Sequence, residues 1–197
     1  MFIVYLRHVL FACMIIIYVY VICNVHHYYT INDGSISSII KNTECNEIVF
    51  MNMSIMGIIT LIYEFFRNDI CSFFSIAFIL IGIYGVLLYD YTMNIHFVYC
   101  FIVFISILLF MCNHCCKIKD IILYSSLCMQ GILCSVIFLE TNIINCEIYL
   151  LANFAFFYTY LHFTQVCKLE TFIEPFIETS IETQTDTMNI LCNEPDM

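Results

Sequence analysis

Six runs of apolar residues, each roughly 20 residues long, decide what this chain can fold into. A helix of that length rises about 30 Å, the thickness of the hydrocarbon core of a bilayer. The runs are residues 9–25, 48–66, 70–89, 95–112, 121–139 and 148–167. They are rich in Ile, Val, Phe and Tyr, which favour strands in water. A lipid-facing backbone, however, must satisfy its own hydrogen bonds, and an unbroken run does so as a helix. A membrane β-barrel would need alternating polarity, and the runs show none. The expected fold class is therefore all-α: a polytopic six-helix transmembrane bundle over residues 1–167, followed by an acidic, disordered tail over 168–197.

The few charges sharpen this reading. Charged residues make up 11% of the chain, against about 25% in ordinary soluble domains. With 6 Lys and Arg against 16 Asp and Glu, no basic face exists to neutralise phosphates, so nucleic acid is excluded as a partner. The spans also leave no room for a large soluble catalytic domain. Arg7, Arg67, Lys117, Lys119 and Lys168 flank one side of the spans and Lys41 alone the other. Basic flanks stay in the cytosol, which places both termini there. The first run has the basic flank of a signal peptide, but it exceeds the usual apolar core of about 7–15 residues and no small-x-small cleavage site follows. It reads as a retained anchor.

Between the runs, residues 26–47 form the one sizeable loop, on the non-cytosolic side. Arg67, Asn68 and Asp69 leave so little chain that the second and third spans must make a tight hairpin. Residues 113–120 read as a short basic cytosolic turn. The tail from Lys168 repeats an Ile-Glu pair every four residues, placing Ile173, Ile177 and Ile181 on one helical face, whereas Pro175 and the Thr-rich composition oppose a helix. Two readings stand: a solvated disordered tail, and a short amphipathic helix that folds on a partner.

Of 13 Cys, most fall within the runs and act there as small apolar residues. Cys45 and Cys146 lie on the oxidising side, where a bridge between them and two free thiols are both open readings. Cys112, His114, Cys115 and Cys116 crowd at one span end, but the second half of a structural zinc site is missing. Cys112, Cys115 and Cys116, beside Lys117 and Lys119, are candidates for S-palmitoylation, with unmodified thiols as the alternative. No metal site, cofactor or catalytic residue is assigned.

Ionisable residues within a membrane are functional suspects because their burial is expensive. Glu64 and Arg67 form an i,i+3 pair at a span end, from which both are expected to reach headgroups. His162, with Asn153 and Gln165, lies in the last run. Asn52 and Asn153 are expected to bridge helices. No series of mid-membrane carboxylates marks a proton-coupled transporter. The non-cytosolic side gathers His26, His27 and His96 with Asp33, Glu44, Glu47, Asp90, Glu140 and Glu147, a set whose charge would change in an acidic compartment.

Three segments resemble the damage-regulated autophagy modulators and their relatives, six-span proteins that include the Golgi factor of GPI-anchor lipid remodelling. Tyr29-Thr30-Ile31-Asn32-Asp33-Gly34-Ser35 is similar to that family's Tyr-Ile-Ser-Asp-Thr-Gly segment, followed by Cys45, Met51-Asn52 and Ile62-Tyr63 before Arg67. Residues Tyr84 to His96 resemble the junction of its third and fourth spans. Glu147, then Phe154 to Phe157, Thr159-Tyr160, Phe163 and Gln165, resemble its last span. The chain departs from the family in having no Trp, and Ser37 and Ser38 stand where a Pro and a Glu usually follow the first segment.

The resemblance implies a non-enzymatic multipass protein of lysosomal or other endomembranes, with Asp33, His96 and Glu147 matching the family pattern. Its partners would be the lipid bilayer and membrane or cytosolic proteins. Its sister branch implies a lipid-remodelling factor of the secretory pathway, and a small-solute transporter is a third class. Asp186 with Ile190 and Leu191 in the tail reads as an acidic sorting signal for endolysosomes.

Overall fold

In a computed structural model, which describes residues 2–29, 36, 43–90, 92–139 and 147–165, every extended element is a helix. They are α1 (Phe2–Tyr29), α2 (Thr43–Arg67), α3 (Ile70–Leu88), α4 (Asn94–Ile118), α5 (Ile121–Leu139) and α6 (147–165). Among the described residues four helices are long and apolar enough to cross a membrane: Phe2–Tyr28, Glu44–Arg67, Ile70–Leu88 and Asn94–Ile118, with Ile121–Ile137 a shorter apolar stretch. Large apolar side chains such as Phe74, Phe78, Phe101, Leu109 and Ile132 lie exposed. In water such a surface would drive aggregation; in lipid it is the face that the solvent prefers.

Helix extents correct the sequence-based boundaries. α1 and α2 run several residues past their apolar cores, so the loop expected at 26–47 gives up both ends to helix. Residues 113–118, expected as a basic turn, continue α4. The reason is on their inner face, where His114 and Cys115 are buried among neighbouring helices. The turn itself is only Lys119 and Asp120. Lys119 adopts the left-handed conformation at φ 53° and its N–H closes on the Cys115 carbonyl at 3.0 Å. Asp120 then caps α5, accepting the Ile122 N–H at 2.7 Å.

The α2–α3 hairpin is as tight as the sequence requires. Asn68 takes φ 58°, a conformation Asn tolerates better than most residues, and Asp69 caps α3 by accepting the Ser72 N–H at 3.4 Å.

The chain divides into two units, residues 1–158 and 159–197. In the first, successive helices run antiparallel, and α3 with α4 is the most extensively packed pair. Two glycines make that closeness feasible. A Cβ on Gly85 would stand 2.1 Å from the Tyr99 ring, and one on Gly82 would stand 2.5 Å from Val103 Cγ2 and 3.1 Å from the Tyr99 carbonyl. Without a hydrophobic force to join helices in lipid, such small residues supply association by close contact. α1 and α2 share a core of Val21, Val25, Cys45 and Val49 at one end and of Phe11, Met14 and Tyr63 at the other. Of the second unit the structure describes residues 159–165, where Thr164 Oγ1 donates to the Tyr160 carbonyl and His162 meets Phe163 edge-on at 5.3 Å.

Candidate lipid cavity and its polar ends

Within residues 1–158, α1, α2, α3, α4 and α6 leave a cavity of about 280 Å³ between them. Its wall is apolar almost throughout. Met14 and Tyr18 come from α1, Met53 and Thr60 from α2, Ile79 and Ile83 from α3, Val103 and Ile107 from α4, and Leu150, Ala155 and Tyr158 from α6. Among the described residues a single carboxylate, Glu147, reaches this wall. Glu147 opens α6 and Tyr158 lies eleven residues on, so the two mark points about 16 Å apart along that helix.

At the Glu147 end, Glu147 Oε2 accepts the Ile36 N–H at 2.8 Å. His96 is 3% exposed and lies within electrostatic range of that carboxylate. Its Nδ1 is 3.0 Å from the Tyr89 carbonyl, which fixes the ring across the α3–α4 turn. Two of the three family-pattern residues, His96 and Glu147, are thus brought together by the fold; Asp33 lies outside the described residues.

At the Tyr158 end stands a buried charge cluster. Glu64 Oε1 accepts the Arg67 guanidinium at 3.0 Å and the Tyr158 hydroxyl at 2.5 Å. The Arg67 and Glu64 side chains are 3% and 0% exposed. The expectation that this pair reaches headgroups is therefore overturned: Tyr158 and Phe110 enclose it, and the Arg67 guanidinium lies 5.6 Å from the centre of the Phe110 ring. Arg7, from the start of α1, donates to the Tyr63 hydroxyl at 3.1 Å with its guanidinium 5.1 Å from that ring's centre. Phe110 in turn stacks on Tyr158 at 5.6 Å. Such cation–aromatic contacts make burial of a guanidinium tolerable.

Beside this cluster, Ser72 Oγ and His114 Nε2 share a hydrogen bond at 2.6 Å. As a nucleophile and base the pair would need access and a carboxylate on His114 Nδ1. Both residues are fully buried, and Nδ1 has no hydrogen-bond partner among the described residues. The nearby carboxylate, Asp69, is engaged elsewhere: its Oδ2 accepts Lys117 Nζ at 2.6 Å and Asn113 Nδ2 at 3.3 Å. Burial pushes the Asp69 carboxyl up, but the hydrogen bonds from Lys117 and Ser72 outweigh it and hold the group at about 2. The arrangement ties α3 to α4 rather than priming Ser72 for attack.

Asn153 behaves as expected and links α6 to α5, donating to Gln130 Oε1 at 2.6 Å and to the Ser126 carbonyl at 2.9 Å. Asn52 does not use its amide in that way. It donates to the Ile48 carbonyl of its own helix at 2.7 Å, a bond available to any Asn one turn on. Of the three acylation candidates, Cys112 and Cys116 are exposed and Cys115 is buried. Cys45 is buried; Cys146, its proposed partner, lies outside the described residues, as do Glu140 and the tail with Asp186, Ile190 and Leu191. Among the described residues no three His, Cys, Asp or Glu side chains gather as metal ligands.

Comparison with family models, with characterised proteins and with solved structures finds no match to this chain. The functional reading consequently rests on the geometry above and on the quoted residues of the family resemblance.

Neither the cavity nor the roles of Arg7, Tyr63 and Tyr158 were legible in the sequence. One signal for the charge cluster was present: Arg7 lies just before the first apolar run and Glu64 just before the end of the second, and antiparallel pairing of α1 with α2 brings those two levels together. The cavity left no such trace, because a cavity-lining Leu and a lipid-facing Leu read alike.

Proposed function

We propose that this chain is a non-enzymatic multipass endomembrane protein that crosses the bilayer six times, keeps both termini in the cytosol and holds a lipid chain within its helices. The observation that carries this reading is the cavity of about 280 Å³, apolar along its wall and carrying one carboxylate. That volume lies at the lower edge of small-molecule sites, which run from about 300 Å³ upward, and suits one acyl chain better than a two-chain lipid. α5, at 19 residues, and α6 are short but within the range of about 17–25 that crosses a bilayer. The end holding Arg7, Arg67, Lys117 and Lys119 is the cytosolic one by the distribution of basic residues. The resemblance to autophagy modulators favours the lysosome among endomembranes, and a role in modulating autophagy through the occupied or empty state of the cavity.

Filling the cavity tests the reading. Ala155→Phe on α6 and Ile83→Phe on α3 each add bulk to the wall. Full-length protein purified in mild detergent should carry lipid detectable by mass spectrometry. The filled variants should lose at least tenfold of it without a lower melting temperature. Undiminished lipid in folded variants would sink the proposal. Golgi location with altered release of GPI-anchored proteins on deletion would move the assignment to the remodelling branch, and substrate-dependent uptake into vesicles would move it to transport.

A further inference from the structure

We infer that the cavity selects a single-chain amphiphile with a protonated primary amine as its head, seated on Glu147, with the chain running toward Thr60 and Tyr158. This rests on the lipid-holding reading and names the ligand class for the same site.

The apolar wall alone cannot select a ligand. In a bilayer, hydrocarbon tails are as apolar as the Leu and Ile side chains of the cavity, so moving a chain from lipid into protein gains little. Discrimination must come from the polar contact. Among the described residues the one carboxylate along this cavity is Glu147, and it stands at the end of the wall rather than midway along it. One of its oxygens, Oε2, is committed to the Ile36 N–H at 2.8 Å. The other, Oε1, is not taken by that bond, and an ammonium head would supply it with both a donor and an opposite charge. Neutral donors satisfy the hydrogen bond alone. A charge-assisted hydrogen bond is roughly twice as strong as a neutral one, which makes the amine about tenfold favoured over an alcohol of equal length. A fatty acid would set a second carboxylate against Glu147 and be rejected. Arg7, Arg67 and Lys117 are held at the opposite end of the helices by Tyr63, Glu64 and Asp69, and His96, which lies within electrostatic range of Glu147, keeps its Nδ1 on the Tyr89 carbonyl at 3.0 Å.

The test uses the full-length protein in nanodiscs of neutral lipid. The probes are three photoactivatable compounds of one chain length, a long-chain primary amine, the matching alcohol and the matching acid, each with its diazirine near the chain end. The amine should label about tenfold more strongly than the alcohol, and the acid least. The label should map to peptides containing Met14, Thr60 or Tyr158. Glu147→Gln should bring amine labelling down to that of the alcohol while leaving alcohol labelling unchanged. Equal labelling by all three compounds in the unaltered protein, lost in Ala155→Phe, would overturn the head-group inference and leave the cavity reading standing. Absence of labelling by any of them would overturn both. The comparison of head groups needs no variant, so it decides the matter even if Glu147→Gln fails to fold.

Discussion

Glu64 lies one turn from the end of α2, and what encloses it comes from far along the chain: Tyr158 is 94 residues away in sequence. Its two hydrogen bonds converge on Oε1, and Oε2 has no hydrogen-bond partner among the described residues. Removing one partner of a buried ion pair typically costs about 3–5 kcal/mol, because the other charge is left behind. Glu64→Gln should therefore lower stability by about 3 kcal/mol and Tyr158→Phe by about 1.5–3 kcal/mol. Combined, they should cost less than the sum, since both bonds end on one oxygen. Thermal unfolding in detergent reads all three, and strict additivity would show that the two bonds act independently. Asp69 predicts a pH dependence with a definite sign. Its folded-state value, about 2, lies below the ordinary 3.8, so its contribution is complete above about pH 4 and fades as pH falls through about 2. Asp69→Asn should flatten that acid limb of the unfolding midpoint, while an unchanged limb would mean that other carboxylates set it. The pair with Lys117 is half exposed on the lysine side, so the effect at neutral pH should be small.

At the scale of elements, the α3–α4 contact makes the sharpest claim. Gly85→Ala would push a methyl into the Tyr99 ring and Gly82→Ala would push one onto Val103 and the Tyr99 backbone. Overpacking of this kind costs about 1–3 kcal/mol, and the Gly82 change is the less escapable because a carbonyl cannot rotate away as a ring can. Gly131 in α5 supplies the contrast: a Cβ there meets nothing within 4 Å, so Gly131→Ala should be neutral or gain about 0.5–1 kcal/mol from helix propensity. Melting temperatures of the three variants check this, and equal losses would deny the glycines their role in close approach. These elements also show what the sequence could express. The apolar runs located the six helices seen among the described residues because a bilayer demands length and continuity, properties that reside in one segment at a time. The helix ends were less legible. Asn113 to Ile118 look like a polar turn until α3 is placed beside them, when His114 finds Ser72 and Lys117 finds Asp69. Glu64 and Arg67 look like a snorkelling pair until Tyr158 and Phe110 close over them. In each case the deciding neighbour belongs to another helix, and no local pattern encodes it.

For the whole molecule, orientation is the claim with the widest reach, because it decides which compartment the Glu147 end of the cavity faces. Antiparallel succession puts Arg7, Arg67, Lys117 and Lys119 at one end and His96 with Glu147 at the other. In the proposed orientation, with the basic residues in the cytosol, the Glu147 end faces the lumen. Exposed cysteines stand at both ends, Cys116 near the end of α4 and Cys23 near the end of α1, and they report opposite faces. In chains retaining only one of the two, a membrane-impermeant maleimide applied to sealed vesicles with the cytosolic face outward should label Cys116 and spare Cys23 until the vesicles are opened. The reverse pattern would invert the molecule, place the carboxylate end of the cavity in the cytosol, and require the ligand to come from that side. Labelling of both before opening would contradict a membrane-crossing arrangement of α1 and α4 altogether, since those two helices carry the reporters to their separate ends.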